Sequence, residues 1–176
     1  YQRRVRGYMA DQQMEDQQMA DQQIENQLSA VGPILDPSAL YQIRSVLASD
    51  KQLEIPGSSY AENCPVALWN INGNANQLFK FIPVAGYINK WNIISVQNNM
   101  YIVLEGKGFG ATVVQKKAKP TETWEVLKTV DGSYQIRVFH LDVFWTLQNI
   151  SADNGTTVIS EMKNNEETQK WYLVPL

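Results

Sequence analysis

From Tyr41 onward the chain alternates apolar and polar residues in short runs, and the runs come in sets. Tyr41-Gln-Ile-Arg-Ser-Val46, Trp91-Asn-Ile-Ile-Ser-Val96 and Tyr134-Gln-Ile-Arg-Val-Phe139 each carry the period of two expected of a half-buried strand. Twelve or thirteen residues on stand Leu53-Glu54, Leu104-Glu105 and Leu147-Gln148, which align as a second strand in each set. A third β-rich run follows at Val66-Ala-Leu-Trp69, Thr112-Val-Val-Gln115 and Thr157-Val-Ile-Ser160. A fourth opens on a closing aromatic, at Phe79-Lys-Phe-Ile82, Trp124-Glu-Val-Leu127 and Trp171-Tyr-Leu-Val174. Turn-forming residues separate the runs at Pro56-Gly57, Asn72-Gly73-Asn74, Asn98-Asn99, Asp131-Gly132 and Asn154-Gly155.

Four strands in three tandem copies predict an all-β domain over 41–176, with repeats at about 41–90, 91–133 and 134–176. One copy alone leaves a face and two edges open, so the three must close around a shared core, as in a β-trefoil. Trp124 and Trp171 fall at equivalent core positions.

The first 30 residues follow another rule. Met9-Ala-Asp-Gln-Gln, Met14-Glu-Asp-Gln-Gln, Met19-Ala-Asp-Gln-Gln and Ile24-Glu-Asn-Gln-Leu28 step by five. Each step turns a helix by about 140° beyond a full turn, so the apolar positions spiral round it instead of forming a stripe. The segment reads as a polar, low-complexity tail with transient helix, and a partner-binding or oligomerising helix, which would give a homo-oligomer, is the alternative. Arg3, Arg4 and Arg6 read as a solvated basic terminus. Gly32-Pro33 and Asp36-Pro37 mark a linker over 31–40.

Composition then narrows the classes. The net charge of −3 and pI of about 5.2 give no electrostatic footprint for nucleic acid. No apolar run is long enough for a membrane span. Cys64 is the single cysteine, so internal disulfides and Cys-based metal clusters are excluded, and no cofactor motif is present. This fits a cytoplasmic protein or a secreted one without disulfides; Tyr at position 1 leaves a removed leader open. The lone His140 has no matching nucleophile, and Gly106-Lys-Gly108-Phe-Gly110 lacks the strand-to-helix setting of a phosphate loop, so no enzyme is expected. Asn149-Ile-Ser151 and Asn154-Gly-Thr156 fit the glycosylation sequon, which has meaning only outside the cell.

Each copy closes on a Gln-x-aromatic motif or a variant of it: Gln77-Leu-Phe79, Glu122-Thr-Trp124 and Gln169-Lys-Trp171. Three such closings in tandem resemble the Q-x-W repeat of ricin B-type lectins over 41–176 only. In the first copy, Leu68-Trp69-Asn70 with Asn76-Gln77-Leu78-Phe79 is similar to the family's sugar-site strand and closing turn. The resemblance implies a carbohydrate site made of Glu54, Trp69, Asn72, Asn76 and Gln77, for galactose-type or N-acetylgalactosamine-type sugars on glycans or glycoproteins. In it Trp69 would stack on the sugar, Glu54 and Asn76 would bond its hydroxyls, and Gln77 would brace the acid. Glu54 is one methylene longer than the Asp the family carries there. By alternation Trp69 points away from Val66 and Leu68, which makes it either a ligand platform or a cover for the tail or linker. In the second copy Glu105 aligns with the acid and Lys116 with Trp69; in the third, Gln148 and Glu161 take these places. Two other classes stay open. A protease inhibitor would use loops such as Ser58–Pro65 or Lys117–Pro120, and a structural or assembly module would use the tail.

Overall fold

The computed structural model describes residues 12–20, 23 and 34–176. The chain divides into two compact units, Tyr1–Ile34 and Leu35–Leu176. In the first, residues 12–20 and Gln23 are helical and every described side chain is exposed, Met14 and Met19 included. The five-residue step explains this, since no stripe forms that could be buried. The Arg3, Arg4 and Arg6 cluster, Met9, Ile24 and residues 31–33 of the expected linker lie outside the described residues.

The second unit holds twelve strands. These are β1 (Tyr41–Ser45), β2 (Lys51–Glu54), β3 (Ala67–Asn70) and β4 (Phe79–Pro83) in the first copy. The second copy supplies β5 (Trp91–Ser95), β6 (Tyr101–Glu105), β7 (Thr112–Lys116) and β8 (Trp124–Lys128). The third supplies β9 (Tyr134–Val138), β10 (Phe144–Leu147), β11 (Val158–Glu161) and β12 (Trp171–Pro175). All pairings are antiparallel, and six strands form a closed ring in the order β1, β4, β5, β8, β9, β12 and back to β1. Closure leaves no open edge in that barrel. Each copy is pinned where its opening and closing aromatics meet, at Tyr41 with Phe79, Trp91 with Trp124, and Tyr134 with Trp171.

The hairpins β2–β3, β6–β7 and β10–β11 cap the barrel and touch one another through Pro65 with Val114, Ala67 with Thr157, and Thr112 with Ile159. The core between barrel and cap takes Ile43, Leu53, Phe79, Phe81, Trp91, Ile93, Val126, Ile136, Trp145 and Trp171, all fully or almost fully buried. The turns use the residues that tolerate a left-handed backbone, as at Asn99 with φ of 58° and Gly132 with φ of 86°. Gly106–Gly110 links β6 to β7 as a hairpin connection. Residues 35–40, read as linker in the sequence, are part of this unit: Leu35 is buried in its core and the Asp36 amide donates to the Tyr41 hydroxyl at 2.7 Å. A buried leucine between two prolines carries no periodic signal, which is why punctuation alone set the boundary too late.

Pairing also corrects the alignment between copies. Arg44 faces Gln52, Ile94 faces Tyr101 and Arg137 faces Phe144, so the first turn is one residue longer than the others. Glu54 therefore matches Val103 and Thr146, not Glu105 and Gln148. Both of the latter sit beyond the matched position and are exposed. A slip of two residues keeps every side chain on its face, so alternation cannot detect it. The matches of Trp69 with Lys116 and Glu161 hold, because β2–β3, β6–β7 and β10–β11 pair Trp69 with Gln52, Lys116 with Tyr101 and Glu161 with Phe144.

Candidate functional site

The β2–β3 hairpin places Glu54 at the end of one strand and Trp69 near the end of the other. After Glu54 the chain turns through Pro56–Ser58, where Gly57 has φ of 60°. After β3 it turns again at Asn72-Gly73-Asn74 before the short helical turn Ala75–Gln77. These turns and strands enclose one surface cleft, lined by Glu54, Trp69, Asn72 and Asn76 together with Pro56, Ser58 and Asn74. Four of the five residues proposed from the sequence thus share one cleft, and Gln77 lies behind them, fully buried.

Gln77 holds the wall together. Its Nε2 donates to Glu54 Oε2 at 3.2 Å and to the Asn70 carbonyl at 2.7 Å. Its Oε1 accepts from the Asn72 amide at 2.9 Å and from Gln52 Nε2 at 2.5 Å. Both ends of one side chain therefore fix the acid, strand β3 and the following turn at once.

Glu54 is 4% exposed, and three amides converge on its Oε2: Gln77, Asn76 at 3.2 Å and Asn72 at 3.5 Å. Burial pushes the carboxyl above the ordinary glutamate range, against the Gln77 and Asn76 hydrogen bonds, which pull it down. Oε1 takes none of these bonds, so it is the oxygen free to accept from a ligand hydroxyl.

Asn76 is also 4% exposed. Its Nδ2 donates to Glu54 Oε2 and, at 3.1 Å, to the Ile55 carbonyl, while its buried Oδ1 has no partner among the described residues. Turning the amide over would set its oxygen against two other oxygens, so the hydrogen-bond network fixes the orientation. An unpaired buried acceptor costs about 1–3 kcal/mol.

Trp69 is 39% exposed, which makes it neither a sealed core residue nor a free one. A methyl group added at Gly155 would lie 3.8 Å from its Cζ3, so one part of the indole borders the β10–β11 loop of the third copy. That loop is tied to β3 by backbone bonds from the Leu68 amide to Thr156 and from the Gly155 amide to Leu68, both at 2.8 Å. Trp69 is in this way positioned by the third copy and lines the cleft of the first.

Gln52 was not singled out in the sequence. It is fully buried and donates to Gln77, and the signal that could have found it is a glutamine where the other copies carry Tyr101 and Phe144.

The other copies keep parts of this frame. Gln169 Nε2 donates to Thr146 Oγ1 at 3.0 Å and to the Met162 carbonyl at 2.7 Å, and its Oε1 accepts from the Asn164 amide at 2.9 Å. This repeats the Gln77 pattern with a hydroxyl in place of the acid. In the second copy an exposed Glu122 stands at the glutamine position and Val103 at that of the acid. Neither copy has an aromatic at the place of Trp69. Among the described residues no three His, Cys, Asp or Glu side chains gather as a metal site.

The folded chain is similar to several solved structures. The designed threefold-symmetric protein ThreeFoil superposes with a TM-score of 0.72 at 20% identity, covering 78% of this chain and 99% of that one. The Rhizoctonia solani agglutinin gives 0.73 at 18% identity, over 82% of this chain and all of that one. The Macrolepiota procera ricin B-like lectin, solved in complex with lactose, gives 0.68 at 17% identity, over 79% and 96%. At these identities the likeness speaks to the fold. No curated protein sequence matches the chain. The family of ricin-type β-trefoil lectin-like domains matches residues 26–116, more than half of the sequence, and includes the whole first copy with the Glu54 and Trp69 hairpin. With the closed threefold barrel and that match together, the chain belongs to the ricin-type β-trefoil lectin domain-like family.

Proposed function

We propose that the chain is a non-enzymatic carbohydrate-binding protein and that the first copy carries its site. One observation supports this above the others: a buried carboxylate held by three amides stands in the same cleft as a half-exposed indole. A sugar ring offers an apolar C–H face and a rim of hydroxyls. Trp69 takes the face, Glu54 Oε1 accepts from the rim, and Asn72 and Asn76 border the same opening. Gln77 does not reach the ligand; it positions the acid.

The sugar class in this reading is terminal galactose or N-acetylgalactosamine on glycans and glycoproteins. Two family-like neighbours are solved with such ligands, the Macrolepiota lectin with lactose and the earthworm R-type lectin C-half with GalNAc. An open cleft of this kind gives a single-site Kd of about 0.1–10 mM, around −3 to −5 kcal/mol. Calorimetric titration with lactose, galactose and GalNAc, repeated on Trp69→Ala, tests it. Saturable binding by the parent and at least a tenfold loss in the variant is the expected result. Equal affinity in both proteins would remove Trp69 as the platform, and no heat with any of the three sugars would remove the galactose-type assignment.

A further inference from the structure

Two copies begin with the same four residues, Tyr41-Gln-Ile-Arg44 and Tyr134-Gln-Ile-Arg137, yet their side chains pair differently. In the first, Gln42 Oε1 accepts from Arg44 at Nη2, 2.7 Å, and at Nε, 3.2 Å. In the third, Arg137 turns instead to two acids, donating from Nε to Glu125 Oε2 at 2.8 Å and from Nη1 to Asp142 Oδ1 at 3.2 Å. Gln135 loses its arginine. It is 4% exposed, its side chain makes no hydrogen bond among the described residues, and its Nε2 is buried without an acceptor. A buried donor left in that state is destabilising unless something outside the chain satisfies it.

Gln135 lines a cavity together with Lys128, Thr129, Lys163, Asn165 and Lys170, and with the apolar Leu127 and Val130. Lys170 is partly spent, since its Nζ lies 3.2 Å from Asp131 Oδ2. Asp131 is a firm carboxylate: hydrogen bonds from the Ser133 and Thr129 hydroxyls, the Ser133 amide and Lys170 hold it well below the usual aspartate range. Lys128 and Lys163 have no ion pair among the described residues. Glu166 and Glu167 follow Asn165 in sequence but do not line the cavity. Three lysines line this cavity and one carboxylate, that of Asp131, answers one of them, while the neighbouring Gln135 amide lacks an acceptor; such an excess of cationic donors suits an oxyanion.

We propose that this cavity, built from the β8–β9 hairpin and the segment preceding β12, binds an oxyanion of the sulfate, phosphate or carboxylate type. It is separate from the first-copy cleft and does not depend on that cleft binding sugar. Two sources share the chemistry, a free inorganic anion and an acidic group carried on a saccharide.

Titration with sodium sulfate against sodium chloride at matched ionic strength, followed by the side-chain amide resonances of Gln135, tests the assignment in the full chain. Sulfate should shift them saturably and chloride should not. The Lys128→Gln/Lys163→Gln double variant should weaken binding at least tenfold, the Lys→Arg pair at the same positions should restore most of it, and Trp69→Ala should leave the titration unchanged. Shifts that are linear, equal with chloride, or retained in the Gln double variant would overturn the proposal, as would their loss in Trp69→Ala. A sulfated oligosaccharide that binds more tightly than sulfate assigns the site to a glycan-borne group, and equal affinity assigns it to the free anion.

Discussion

The first and third copies share a skeleton and differ in what the skeleton holds. Gln77 and Gln169 make the same three kinds of bond: to the preceding strand, to the end of the hairpin, and from the next turn. The bonded partner on the strand is a carboxylate in one case and a threonine hydroxyl in the other, and the matching position on the next strand is Trp69 in one and Glu161 in the other. The glutamine of the repeat motif is therefore an architectural brace. The brace holds an acid in the first copy alone, and only there does a flat aromatic line the same cleft, so counting motifs measures the fold and not the number of sites.

That comparison can be broken at several strengths. The largest effect is expected at Trp171, which closes the third copy against Tyr134 and is fully buried. Trp171→Ala should lower stability by about 3–5 kcal/mol in urea unfolding through the cavity it leaves. Next come the two braces. Gln77→Ala and Gln169→Ala should each lose about 1–3 kcal/mol, because each strands buried partners. Only Gln77→Ala should also weaken glycan binding in calorimetry, and an equal loss from Gln169→Ala would mean that the third copy is a site as well.

The smallest and most specific effect concerns Glu54. Its folded carboxyl titrates above the unfolded value, so between the two the native state holds the extra proton, and stability falls as pH rises through that window. Glu54→Gln removes the buried charge while keeping an acceptor for the surrounding amides. Its melting temperature should therefore match or exceed the parent's at pH 7 and converge with it as the solution is acidified. Glycan affinity of the parent should drop on acidification at a higher pH than an ordinary glutamate would give, and binding that is flat across that range would detach the carboxylate from recognition.

Most of the barrel was legible because a strand with one buried face must alternate, and because opening and closing aromatics recur in each copy. The sites were less so. Alternation could not see the two-residue offset that put Glu105 and Gln148 in place of Val103 and Thr146, since an even slip preserves the faces. It could not see that Gln42 and Gln135, in identical tetrapeptides, would have different partners, because Glu125 and Asp142 reach Arg137 only through pairing across the sheet and around a turn. The residues that the resemblance named in the first copy came from the family pattern and not from alternation; Glu54, Trp69 and Asn76 line one cleft because they lie on one hairpin and its following turn.

Ring closure through β12 and β1 also has a mechanical side. Tyr41 at the start of the first strand faces Pro175 at the end of the last, and the Leu176 amide bonds to the Leu40 carbonyl at 2.9 Å. A pull applied at these two points would act across the first rung of a ladder and open the remaining rungs one after another, instead of shearing them together. To tension along its own backbone the barrel presents a zipper.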